Sequence, residues 1–151
     1  MRKELNEALK TALKSKDSRS VSTLRLILAA IKDRDIAVRS DGNAEGISDE
    51  QILDLLQKMI KQRHESIAAY EKGGRADLVA QEQGEIEVIR RFLPAQMSQS
   101  EIQAAVAEAV TETGAGSLKD MGKVMGVLKE RYAGRMDMGA ASGAAKKALG
   151  S

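Results

Sequence analysis

The chain has 151 residues, with 24 Lys and Arg against 22 Asp and Glu, one histidine and no cysteine. Such a length suits one domain, or one domain with a small satellite, and can bury a core without covalent staples. The missing cysteine excludes a disulfide framework, a thiol nucleophile and a thiolate metal site, and a formal charge of +2 does not announce a nucleic-acid binder.

From the N-terminus onward the apolar positions keep helical time. Leu5, Ala8, Leu9, Ala12 and Leu13 form a first stripe, and Asp17 or Ser18 can cap a second helix whose inner face carries Leu24, Ile27, Leu28 and Ile31. The segment Ser40–Gly46 has loop composition. Ser48 and Gln51 stand at capping-box spacing before a long helix with Ile52, Leu56, Met59, Ile60 and Ile67 on one side, which Gly73-Gly74 ends. A fourth helix is expected from about Arg75 to Leu93, burying Leu78, Ile86, Ile89 and Leu93. Gly84 within it costs about 1 kcal/mol relative to alanine, so the helix bends there or something packs close.

Leu93-Pro94 breaks the pattern, because proline disfavours helix in the residue before it. Residues 1–93 therefore read as an N-terminal helical domain and residues 94–151 as a three-helix module. Ser98 with Glu101 is a second capping box, leading to Ile102, Ala105, Val106, Ala109 and Val110. Ser117 can cap the next helix, expected to bury Leu118, Met121, Val124, Met125 and Leu128, and Asp137 can cap the last, carrying Met138, Ala141, Ala145 and Leu149. No segment alternates with period two, so the expected class is all-α.

No stretch of about 18 apolar residues occurs, and Met1-Arg2-Lys3-Glu4-Leu5 opens without an apolar run. Neither a membrane span nor a secretory signal is expected, and the expected location is the cytoplasm. Catalytic equipment is equally sparse. His64 stands alone in the polar stretch Lys61–Glu65, and nothing places a serine on a strained elbow. The carboxylates Glu82, Glu85 and Glu87 lack the Glu-x-x-His partners of a di-metal bundle and read as a solvated face, open to pairing with Lys61, Arg63 or Arg75. Gly116-Ser117-Leu118-Lys119-Asp120-Met121-Gly122-Lys123 has five residues where a P-loop has four, Val124 where it needs Ser or Thr, and no strand before it. No catalytic residue, metal or cofactor is expected.

Charge is distributed unevenly. Between Pro94 and Gly116 there are three acids and no base; from Ser117 onward there are seven bases and three acids, a local net of +4. The bases are Lys119, Lys123, Lys129, Arg131, Arg135, Lys146 and Lys147. With Tyr70, Phe92 and Tyr132 as the only aromatics, a base-stacking platform is not indicated. Gly122, Gly126, Gly139 and Gly143 fall inside helical patterns, where glycine is unfavourable. Close packing within the fold is the first explanation; a flat approach surface for a large partner is the alternative. Met121, Met125, Met136 and Met138 are core, or an adaptable docking surface.

Several clusters, in this order, resemble the GatB/YqeY family. They are Asp17 followed by Leu24-Arg25, Lys61-Gln62-Arg63 with Ser66-Ile67, Gly74-Arg75-Ala76-Asp77-Leu78 leading to Glu82 and Glu85-Ile86, and Leu93-Pro94. The strongest matches are Lys119-Asp120-Met121-Gly122-Lys123-Val124-Met125-Gly126 and Gly134-Arg135-Met136-Asp137. The sequence departs from the family pattern at Gly84 and in the small-residue run Gly139–Ala145. The resemblance implies a helical fold with a smaller C-terminal module. A module of this kind is also the tail of the GatB component of the glutamine-dependent tRNA amidotransferase, where it helps hold tRNA, and it is similar to an appended domain of some glutaminyl-tRNA synthetases. The family description of carbon–nitrogen ligase with glutamine as amide donor has no plausible site in this chain. The resemblance implies a non-catalytic, tRNA-binding accessory, or a protein-interaction module that docks on a synthetase or amidotransferase.

Overall fold

A computed structural model describes residues 1–150. Seven α-helices and one 3₁₀ turn make up the regular structure of these residues, with no strand among them. The chain divides into two compact units, Met1–Leu93 and Pro94–Ser151.

The first unit holds α1 (Arg2–Ser15), α2 (Ser18–Ser40), α3 (Asp49–Lys72) and α4 (Ala76–Arg90). Local chemistry sets their starts. The Asp17 carboxylate accepts the Ser20 N–H at the head of α2, and Ser48 and Gln51 complete a reciprocal capping box at the head of α3. At Gly74, φ is +69°, a left-handed turn that releases the chain into α4. The core joins all four helices through Leu5, Leu24, Ile27, Ile52, Leu56, Met59 and Ile89. Leu13, expected inside, is 48% exposed, while Ala12 beside it is buried. α4 stops at Arg90 rather than Leu93; its exit tightens into bonds from Arg91, Phe92 and Leu93 N–H to carbonyls three residues back.

A clasp closes the loop between α2 and α3. The Arg2 guanidinium grips the Asp35 carboxylate at 2.7 and 2.8 Å and donates to the Ile47 carbonyl at 2.8 Å. Asp35 also accepts the Ile47 N–H at 2.9 Å. The Arg2 hydrogen bond and the Ile47 N–H hold the Asp35 carboxyl below its ordinary range.

The second unit holds α5 (Gln99–Thr113), the 3₁₀ turn Leu118–Asp120, α6 (Met121–Tyr132) and α7 (Met138–Gly150). Ser98 and Glu101 form the second capping box, and Gly114 ends α5 in the left-handed region. Its core is built from small and medium residues: Ile102, Ala105, Val106, Ala109, Val124, Leu128, Met136, Ala141 and Ala145. Ser117 does not cap α6. Instead the Asp120 carboxylate turns back to accept the Gly116 N–H at 3.0 Å, the 3₁₀ turn intervenes, and Leu118 is left 47% exposed.

Candidate nucleic-acid interface

The basic residues of the second unit are carried by α6, α7 and the turns that lead into them. Gly134, at φ +78°, turns the chain between the two helices. Residues 94–97 run along that turn as a strap: the Met97 N–H donates to the Arg135 carbonyl at 2.9 Å, and the Gln96 amide donates to the Gly134 carbonyl at 2.6 Å. Arg135 Nε reaches the Ala95 carbonyl at 3.3 Å, so strap and turn hold each other. The Asp137 carboxylate accepts the Gly139 N–H at 2.9 Å and the Ala140 N–H at 3.3 Å, capping α7 as expected. It therefore occupies the donors that a phosphate would use at that helix start.

Lys119, Lys123, Lys129, Arg131, Arg135, Lys146 and Lys147 are all exposed. They do not form one cluster. On α6, the seam facing the core runs through Val124 and Leu128. Lys123 and Lys129 stand on the outward side, spread across it, while Arg131 sits on the edge nearest α5. There it pairs with Glu112, whose hydrogen bond raises the guanidinium pKa. Its charge is engaged within the fold. Lys119, Lys123, Lys129 and Lys146 make no side-chain hydrogen bond or ion pair among the described residues.

The glycines distinguish this surface. A β-carbon added at Gly122, Gly126 or Gly143 would meet nothing within 4 Å. Close packing inside the fold, the first explanation for glycine there, does not hold for these three positions. Gly122 and Gly126 lie one turn apart with Lys129 one turn further, and Gly139 and Gly143 lead in the same way to Lys146 and Lys147. Each helix thus offers a strip of bare backbone that ends in lysine. The methionines resolve differently. Met136 is fully buried, and Met121, Met125 and Met138 are half-buried against the second core, so the fold accounts for all four.

The carboxylate cluster of α4 is only partly the solvated face expected. Glu85 is buried and accepts from Arg63 Nε at 3.0 Å, while Arg63 also donates to the Met59 carbonyl at 3.1 Å. Burial, and then the charge of Glu85, raise the Glu82 carboxyl pKa. Beside them Arg19 of α2 lies across Gly84, where an added β-carbon would fall 2.6 Å from its side chain. Here glycine does answer a close approach. Sequence reasoning missed Arg19, the Arg2–Asp35 clasp and the Gln96 strap, all partnerships remote in the chain. His64 is exposed, and no group of three or more His, Cys, Asp or Glu among the described residues could hold a metal ion.

Comparison with known proteins gives the lineage. The family model described as Yqey-like protein matches residues 2–149. The chain belongs to the YqeY-like family. Among curated relatives, "Altered inheritance of mitochondria protein 41, mitochondrial" of Lachancea thermotolerans is 36% identical over 111 residues, 72% of this chain and 57% of the relative. Its counterpart in Eremothecium gossypii is 35% identical over 106 residues, 70% of this chain and 56% of the relative. The chain spans about half the length of these curated YqeY-like relatives. Their names also overturn the expectation of a cytoplasmic location, since they are mitochondrial proteins. The expectation rested on a missing apolar run, which tests for secretion alone; mitochondrial leaders are amphipathic and arginine-rich. No helix of the described residues is long and apolar enough to cross a membrane.

Proposed function

We propose that the protein is a non-catalytic accessory that binds tRNA through α6 and α7 of its second unit. The observation that carries the reading is the pairing of unengaged Lys123, Lys129 and Lys146 with Gly122, Gly126 and Gly143, helix-interior glycines that face open space. Each such glycine costs about 1 kcal/mol of helix stability relative to alanine, and nothing inside the fold offsets it. A partner that approaches the helix backbone closely would. Phosphate–ribose backbone fits: it is large, it is anionic, and a bare helix face lets it reach lysines at either end of the strip. Recognition of this kind follows RNA shape rather than base sequence, in keeping with the scarcity of aromatics. It also parallels the role that the resemblance implies for the amidotransferase tail.

A fluorescence titration with folded tRNA at two salt concentrations tests the proposal. Binding should weaken steeply with salt, by a factor of about ten or more between 50 and 200 mM for a few phosphate contacts. The double variant Lys123→Glu/Arg135→Glu should abolish it. Salt-independent binding, no binding, or an unaffected double variant would refute the reading. A complex with a synthetase or amidotransferase that survives ribonuclease would point to protein docking on the same face.

A further inference from the structure

Arg135 differs from Arg131 and from the lysines of α6 in how it is held. Gly134 turns the chain, and Met136, fully buried, plugs the second core beneath the turn. Between these two buried neighbours Arg135 is exposed. Its backbone is pinned on both sides: the N–H donates to the Tyr132 carbonyl at 3.0 Å, and the carbonyl accepts the Met97 N–H at 2.9 Å. The Gln96 amide braces the same turn, donating to the Pro94 carbonyl at 2.8 Å and to the Gly134 carbonyl at 2.6 Å.

The side chain itself is held by a neutral group. Nε donates to the Ala95 carbonyl at 3.3 Å, which orients the guanidinium without cancelling its charge. Neither Nη group makes a hydrogen bond or ion pair among the described residues. Arg131, by contrast, is paired with Glu112, and Lys123 and Lys129 carry their charges on stems that nothing holds. Two acids stand near Arg135, and each is committed to a helix start. Asp137 accepts the Gly139 and Ala140 N–H, and Glu101 accepts the Ser98 N–H at 3.0 Å. Hydrogen bonds from Ser98, and then the charge of Arg135, hold the Glu101 carboxyl below its ordinary range.

On the tRNA reading above, on which this inference rests, we propose that Arg135 anchors the interface. Its two Nη groups grip one phosphate of the RNA backbone, and Gln96 is the residue that positions them. A planar guanidinium meets a phosphate with two parallel hydrogen bonds, which an ammonium cannot do. Holding Nε on Ala95 beforehand also removes part of the rotamer freedom that an untethered arginine loses on binding. Lys123 and Lys129 act around this anchor as point charges.

Fluorescence titration of the full chain with folded tRNA across a salt series tests the assignment. Arg135→Lys keeps the charge and should weaken binding about fivefold or more. Gln96→Ala changes no charge, yet it should flatten the slope of log affinity against log salt by about one, as Arg135→Ala does. Combined, the two should flatten it no further than Arg135→Ala alone, because together they remove a single phosphate contact. A Gln96 that merely supported the fold would leave the salt slope where it was. An Arg135→Lys variant that binds as tightly as the wild type overturns the inference, and so do additive losses in the combined variant. If Lys123→Glu/Lys129→Glu still abolishes binding in that case, the tRNA reading stands without the anchor. A wild-type chain that binds no tRNA overturns both.

Discussion

The two units make opposite use of the same residue types. In the first, Arg63 is drawn inside to meet Glu85, and Gly84 is bare because Arg19 lies across it. In the second, Arg131 meets Glu112 at the surface, and Gly122, Gly126 and Gly143 are bare with nothing across them. The first unit fills its close approaches from within; the second leaves them open. Its core of alanine and medium aliphatics also has less apolar bulk to compensate for weak helices. The contrast teaches that a helix-interior glycine carries functional meaning only after its neighbours have been counted.

The sharpest break of this comparison lies in the two ion pairs. Arg63 and Glu85 are 13% and 11% exposed, so Arg63→Ala leaves a carboxylate buried without its partner and should cost about 3 kcal/mol. Arg131 and Glu112 are 44% and 41% exposed, and Arg131→Ala should cost less than about 0.5 kcal/mol. Urea midpoints of the two variants check this; equal costs would erase the distinction between the units.

A smaller effect sharpens the account of the first unit. Glu82 has its pKa raised by burial, with Glu85 adding to the shift. The folded state thus holds the Glu82 proton more tightly than the unfolded chain, and stability falls as pH rises from the ordinary glutamate range through the raised pKa. Glu82→Gln should remove that decline and leave the protein more stable at neutral pH. Melting curves at pH 4, 5, 6 and 7 read it directly, and an unchanged pH profile would count against the cause assigned.

Much of the fold was legible because its signals are local. Both capping boxes, the Asp17 and Asp137 caps and the glycine exit of α5 lie within a few residues of the bonds they make. Where a distant or competing partner decides, the sequence misleads. Ser117 had the right spacing to cap α6, but Asp120 turned back to the Gly116 N–H and started the helix later. Spacing leaves Glu85 open to Lys61, Arg63 or Arg75; that Arg63 is the partner, and that the pair is buried, depends on α3 packing against α4. The basic residues of the candidate interface could be read as a charge imbalance, yet that Arg131 is engaged while Lys123 and Lys129 of the same helix are not depends on α5 packing beside α6. The meaning of the glycines needed the neighbours as well.

The central claim is that the open glycines serve a partner rather than the fold. Melting temperature and tRNA affinity measured on one variant, Gly122→Gln/Gly126→Gln, test it most directly. Glutamine is the better helix former and its β-carbon meets no neighbour there, so the account predicts a gain of about 1 kcal/mol in stability. It also predicts at least a tenfold loss of tRNA affinity, although no charge has changed. A variant that gains stability and binds tRNA as tightly as before would contradict the account.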